Sequence, residues 1–246
     1  MQELKYEIYN LGGNDTAIIS EKLSDEKCIE VAERIMDRNP NVEQVAMIID
    51  VYKNNCIFKM VGGEFCGNAC RAVAEYMRKN YGFIKCNITL NDIKMKGTSD
   101  GNSSEITVAK NDLVKKVENN GLYTVFMRGI TCVVRRKSLS ENVKLTAENI
   151  KQEFEKTHKI NDAFGVIFLE NDKIDPFVWV AKAHTFFNET ACLSGSIAAA
   201  LFLKQGKIHT RKIIQPTNEN YNISIGKVNI TARGKVKFAK DDLLVF

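Results

Sequence analysis

GGEFCGNACRA, residues 62–72, sets a cysteine between a Gly-rich approach and an apolar helical pattern. Ala69, Val73, Ala74 and Met77 recur at helical spacing behind it, and Gly82 follows. A helix start carries unpaired N–H groups and the positive end of the dipole. Both bind anions, and both lower a thiol's pKa. Cys66 is therefore either a reactive thiol beside an anion site or a buried core cysteine, the commoner fate of a free thiol.

A second stretch bears on the choice. NETACLSGSIAAALFLKQG, residues 188–206, repeats the arrangement. Glu64 lies just before Cys66 and Glu189 just before Cys192, and an apolar helix follows each thiol. The helices are expected near 67–79 and 193–205, the second ending at Gly206. Both are apolar on most faces, which predicts burial.

The flanking segments recur in the same order. In the first half, YEIYNLGGNDTAIIS (6–20) reads as strand, Gly turn, strand. SDEKCIEVAERIMDRNP (24–40) reads as a helix capped by Ser24 and stopped at Asn39-Pro40. In the second half, Thr146 is expected to cap a helix over 147–157, between strands at 131–138 and 163–171. The expected fold is α/β with two pseudo-symmetric lobes, each a strand-wrapped central helix, and an active site in the cleft between them. The N-terminal lobe covers 1–115 with the C-terminal strand 235–246, and the C-terminal lobe covers 116–234. Thiols at matching points of two such lobes are placed to face each other.

Composition narrows the function classes. The 246 residues are 44% hydrophobic and 26% charged, as in an ordinary globular protein. The net charge of +5 comes from 35 basic and 30 acidic residues scattered along the chain. That argues against nucleic acid as a partner, since no basic stripe or known module occurs. Seven cysteines, with no paired C-x-x-C spacing, fit neither a disulfide framework nor a zinc site, so no metal is expected. No signal-peptide core and no membrane-length apolar run occur, so the expectation is a cytoplasmic protein with reduced thiols and no membrane partner. A homodimer is compatible with this reading.

Two opposed thiols suit one reaction well. Inverting an amino acid's α-carbon needs a base on one face and an acid on the other. A thiolate/thiol pair does this near neutral pH if its pKa values are lowered and coupled. Two helix N-termini aimed at the carboxylate stabilise the charge that develops there. The reading is a racemase or epimerase with no cofactor, since neither a Walker A nor a G-x-G-x-x-G motif is present.

The same residues carry a family resemblance over nearly the whole chain. LGGNDTAII (11–19) resembles the GLGNDF opening of diaminopimelate epimerases. GGEFCGNA (62–69) resembles their first cysteine motif, MCGNG, and ACLSGS (191–196) the second, ACGTG. IIQPTNENYNISI (213–225) lies where the family has a Pro-Gly-Gly turn. The resemblance implies that Cys66 and Cys192 are the two bases. It further implies that Gly67, Asn68, Ser194 and Gly195 supply amides to the α-carboxylate, and that Asn14 lines the site.

Departures from the pattern bear on the substrate. Gly129, Gly165 and Ala183-His184 stand where diaminopimelate epimerases hold the distal amino-acid group with Asn, Asn and Arg, which leaves room without charge partners. Leu193 replaces a family Gly and is expected to reshape the pocket. GGEFCGNA, NVEQVAMI (41–48), the Gly of FGVIF (164–168) and the Glu three residues before the second Cys are similar to the histidine racemase branch. There Glu189 meets the α-ammonium and Glu43 the side chain. The expected function is a pyridoxal-phosphate-independent amino-acid racemase, with histidine the substrate of choice. The alternatives are a diaminopimelate epimerase, another small-acid isomerase of the same fold, or a non-catalytic amino-acid-binding member.

Overall fold

A computed structural model describes residues 3–138, 142–160, 162–182, 184–204 and 208–245. The internal repeat appears as topology. In the first half, β1 (Glu3–Asn10) and β2 (Asp15–Ile19) form a hairpin, and α1 (Asp25–Arg38) crosses to the parallel strand β3 (Val42–Tyr52). β4 (Asn55–Met60) returns antiparallel, and α2 (Gly67–Tyr81) crosses to the parallel strand β5 (Lys85–Leu90). β6 (Ile93–Ser99) and β7 (Ser103–Ala109) complete the set, followed by the single turn α3 (Lys110–Leu113).

The second half repeats these moves. After β8 (Val114–Asn119), β9 (Tyr123–Met127) and β10 (Ile130–Arg136) form a hairpin, and α4 (Val143–Glu155) crosses to the parallel strand β11 (Ala163–Glu170). β12 (Lys173–Val180) returns antiparallel and β13 (Thr185–Asn188) pairs with its far end. α5 (Leu193–Phe202) then crosses to the parallel strand β14 (His209–Ile214), followed by β15 (Asn220–Ile225) and β16 (Asn229–Lys235). The last strand, β17 (Lys237–Val245), pairs with β1 as β8 pairs with β9. β16 pairs with β7, which joins the two lobes in one ladder.

Each lobe has the same layering. α2 packs against β2 to β7, and α5 against β10, β11, β12, β14 and β15. One apolar core surrounds both central helices, and smaller clusters lie beneath α1 and α4. Ile197, Ala198, Ala199 and Ala200 of α5 are all buried; the small side chains let strands approach on every side. α1 is amphipathic, burying Cys28, Val31, Ala32 and Ile35, and the Ser24 hydroxyl accepts from Lys27 N–H at 3.3 Å.

Two helix boundaries differ from the sequence reading. α4 begins four residues before the position expected from Thr146. Asn142 is its cap, accepting from Leu145 N–H at 3.2 Å, and Thr146 N–H already bonds back to the Asn142 carbonyl. Starting there places Ala147, Ile150 and Phe154 on the core face. α5 stops at Phe202, while Gly206 lies outside the described residues.

Candidate active site

Both thiols cap their helices. Cys66 and Cys192 have extended backbones, and each sulfur accepts the N–H three residues on, Cys66 from Ala69 at 3.4 Å and Cys192 from Gly195 at 3.2 Å. Sulfur here takes the place of the oxygen that Ser, Asp or Asn usually offers. A Cβ on Gly195 would lie 3.1 Å from the Cys192 sulfur and 2.7 Å from Ile167, so only glycine fits beneath the thiol. The caps leave the N–H groups of Gly67 and Asn68, and of Leu193 and Ser194, without hydrogen bonds among the described residues. The Gly195 amide, expected from the motif to meet a carboxylate, is spent on the sulfur, and that of Leu193 is open instead.

The helix starts abut. A Cβ on Gly67 would come within 2.6 Å of Leu193 Cδ2, so Leu193 lies across the first residue of α2. The bulk expected to reshape the pocket thus packs one helix start on the other. Asn68 Nδ2 donates to the Ala191 carbonyl at 2.8 Å, and Asn68 Oδ1 accepts from the Tyr221 hydroxyl at 2.9 Å. The same hydroxyl bonds the Leu11 carbonyl, and the buried Arg71 guanidinium stacks 4.6 Å from the Tyr221 ring. Gln215 holds the other start, accepting from Cys192 N–H at 2.9 Å and donating to Ser196 Oγ at 3.0 Å.

Gln215 and Tyr221 sit in the IIQPTNENYNISI stretch, where only a turn was expected. Nothing local marks them as partners of residues 19 to 210 positions away. Gln215 directly follows β14 and Tyr221 lies within β15, and nothing in the sequence singles out either one.

A pocket opens beside the two helix starts, with about 750 Å³ of empty space including its mouth. Cys66, Gly67, Asn68, Glu189 and Ser194 are on its wall, and so is Glu43 from β3. Cys192, Asn14 and Gly195 do not line it, though Asn14 bonds Glu43 and the Gly195 amide donates to the second thiol. The outer wall is apolar, with Met36 from α1 and Val180 and Phe187 from the β12–β13 hairpin. Among the described residues the charged lining groups are Glu33, Glu43, Glu64 and Glu189, with no Lys, Arg or His, although the Lys182 charge acts on Glu64 from outside the lining.

The room expected at the lost Asn and Arg positions is mostly filled. Gly129 has φ +76°, and a Cβ there would sit 2.5 Å from Phe65 N. Gly165 lies inside β11, with Cys132 Sγ 3.3 Å from where its Cβ would be. Neither lines the pocket. His184 is exposed in the hairpin turn and Ala183 lies outside the described residues.

The electrostatics follow from burial. Glu189, 8% exposed, accepts a long contact of 3.4 Å from Gln44, and desolvation with the nearby Glu43 charge pushes it up to about 8. Desolvation pushes Glu64 up to about 7. Glu43 is also raised by burial, against the opposing effect of three hydrogen bonds: Thr190 Oγ1 at 2.6 Å, Thr190 N–H at 3.2 Å and Asn14 Nδ2 at 2.5 Å.

Both thiols lie well above the ordinary cysteine range, first from burial, then from Glu64 on Cys66 and from Glu189 on Cys192. The lowering expected from the helix starts is outweighed. A helix N-terminus favours an anion by about 0.3–1 kcal/mol, up to about 2, whereas an unpaired buried anion costs several. Glu189 acts on both thiols, and both act on Tyr221, so the two sulfurs share one locality.

Comparison with known proteins bears on this arrangement. Residues 3–122 match the histidine racemase CntK N-terminal domain. A histidine racemase of Fusobacterium nucleatum subsp. nucleatum is 30% identical over 98% of each chain, and one from a second strain is 29% identical over 96% of this chain and 98% of its own. Among solved structures, a phenazine biosynthesis protein of the PhzF family from Bacillus anthracis superposes with TM-score 0.68 at 11% identity, each chain fully covered. A hydroxyproline epimerase from Agrobacterium vitis, with bound trans-4-hydroxy-L-proline, superposes with TM-score 0.66 at 8% identity over 98% of this chain and 92% of its own. These structural likenesses establish the two-lobe fold.

Proposed function

We propose that this chain, which belongs to the histidine racemase family and is an amino-acid racemase, inverts the α-carbon of histidine with Cys66 and Cys192 as opposed acid and base. The observation that carries the reading is the pairing of two thiol-capped helix starts beside one pocket whose charged walls are all acidic. The fold and the family support racemisation; the capped thiols support the mechanism, and the acidic walls support the substrate.

In this mechanism the α-carboxylate takes the open amides of Gly67, Asn68, Leu193 and Ser194. Glu189 accepts the α-ammonium. One sulfur, as thiolate, takes the α-proton, and the C–H electron pair moves toward the carboxylate, where the helix starts stabilise the added charge. The other thiol returns its proton to the opposite face. One C–H bond breaks and one forms, and the thiols exchange protonation states. Every step is a proton transfer between carbon and sulfur, so the mechanism calls on no pyridoxal phosphate and no metal.

Substrate charge is part of the chemistry. In the empty site Glu64 and Glu189 hold the thiols up. An ammonium beside Glu189 offsets that repulsion and lowers the thiol that must ionise. Glu43 contributes negative charge at the side-chain end, although two of its hydrogen bonds, from Thr190, also fix the segment leading to Cys192 and the third ties it to Asn14. An imidazole suits such walls as a cation or as a neutral donor.

The test is incubation of reduced enzyme with L-histidine in D2O, following the α-proton signal and the appearance of D-histidine by chiral chromatography. Loss of the signal with D-histidine formation is expected, and meso-diaminopimelate should exchange poorly. No exchange with histidine, or faster exchange with diaminopimelate, would overturn the assignment.

A further inference from the structure

We infer that Glu64 is a specificity-determining residue: its carboxylate receives the hydrogen-bond-donating, positively charged side chain of the substrate. The inference deepens the proposed racemase reading and rests on it.

Two independent features support it. The first is an unmet need. Glu64 is 7% exposed and lines the pocket, and its Oε2 has no hydrogen-bond partner. A buried carboxylate oxygen left without a protein donor is costly, and a donor on a ligand in this pocket would meet it. Glu43, the acidic residue that the sequence singles out for this role, is already committed to Thr190 and Asn14 through both oxygens. Glu189 has Gln44 beside it and the Cys192 thiol for a neighbour, which suits the reacting end of the substrate.

The second is that the backbone is built to hold Glu64 where it is. Gly62 leaves clear the space that the Glu64 carboxylate occupies; a Cβ at residue 62 would collide with Oε2 and with Val180. From below, the peptide joining Glu64 to Phe65 lies on Gly129, where a Cβ would sit 2.5 Å from Phe65 N and 3.1 Å from Glu64 C. Gly62 and Gly129 thus leave room for a carboxylate whose Oε2 has no hydrogen-bond partner among the described residues, with the Lys182 charge acting on it from nearby. The position that lost an Asn by comparison with diaminopimelate epimerases is thus used to seat an acid.

The chemical class follows. Glu64 and Cys66 line the same pocket and Glu64 acts on the Cys66 thiol, so a group that meets it belongs to a short side chain on the α-carbon whose proton the thiol takes. A compact ring or chain with an N–H donor and positive charge fits; a carboxylate does not.

The experiment compares wild type, Glu64→Gln and Glu64→Asp on L-histidine and on L-2-thienylalanine, whose five-membered ring lacks N–H groups. The readout is α-proton exchange in D2O, with kcat and KM separated. Wild type should prefer histidine. Glu64→Gln should raise the KM for histidine about ten- to a hundredfold, the worth of one charge-assisted hydrogen bond, whereas its effect on thienylalanine should fall on kcat, through the Cys66 thiol that Glu64 raises, and not on KM. Glu64→Asp should keep part of the preference, and circular dichroism should show all three folded. A histidine/thienylalanine ratio in Glu64→Gln equal to that of wild type overturns the inference while leaving racemisation intact. A wild type that exchanges neither compound overturns the racemase reading, and this inference with it.

Discussion

Replacing Glu189 with Gln should stabilise the ligand-free protein, by an amount that depends on pH. Glu189 is held protonated up to about pH 8 in the folded chain, by burial and by Glu43, against an ordinary value of 4.5. Between those limits the folded chain keeps a proton that the unfolded chain has released. Stability therefore falls as pH rises through that window, by about 1.4 kcal/mol per pH unit. By pH 7 the loss attributable to Glu189 reaches about 3 kcal/mol. Glutamine mimics the protonated acid, keeps its shape and does not titrate. Glu189→Gln should match wild type near pH 4.5 and exceed it by up to about 3 kcal/mol at pH 7, or roughly 6–12 °C in Tm at about 2–4 °C per kcal/mol. Urea unfolding at pH 5, 6, 7 and 8, without substrate, measures the gap directly. The same variant should lose most α-proton exchange on histidine, because Glu189 is the proposed ammonium partner. A gap that stays constant from pH 5 to 8, or a wild type more stable than the variant at pH 7, would refute the reasoning.

Three further outcomes are expected. Cys66→Ser and Cys192→Ser should each lower racemisation at least a thousandfold while keeping a native circular dichroism spectrum, because serine caps a helix as well as cysteine does but is a far weaker base near pH 7. Gly67→Ala should destabilise the fold by about 1–3 kcal/mol through its clash with Leu193, and the same substitution made in a Leu193→Ala background should cost less, as a double-mutant cycle in urea melts would show. Tyr221→Phe, which removes the hydroxyl bridging Asn68 and the Leu11 carbonyl, should cost about 1–3 kcal/mol and lower kcat more than it changes KM.

What the sequence made legible was local. Ser24, Cys66 and Cys192 are caps because each is followed, within one turn, by residues that complete a helix start; spacing along the chain shows this. The doubled order of elements was readable for the same reason, since each lobe is built from neighbours in sequence. The thiol pKa direction was not readable, because it depends on burial and on carboxylates that arrive from elsewhere, Glu189 reaching Cys66 across 123 positions. Glu43 stood out by comparison with relatives, but its hydrogen bonds to Thr190 required the lobes to be assembled. Thr146 is a good cap residue by type, but Asn142, four positions earlier, caps the helix, and that start puts Ala147, Ile150 and Phe154 into the core of the C-terminal lobe.

Selection in this site can be argued from charge before shape. Any amino acid brings a carboxylate, which the helix-start amides can take, and an ammonium, which Glu189 can take. The side chain then faces Glu43 and Glu64. A neutral side chain leaves those acids to be protonated or unpaired, so it binds with no electrostatic gain. A side chain ending in a carboxylate adds an anion where no Lys, Arg or His lines the wall, at several kcal/mol for a desolvated like-charge contact. A compact cationic donor is the one class that lowers the cost of the walls themselves. Such discrimination works as much by repelling the wrong partner as by attracting the right one. The positive charge of the right amino acid also offsets the repulsion that Glu64 exerts on Cys66 and Glu189 on Cys192, so binding that amino acid and activating the thiols draw on the same charge.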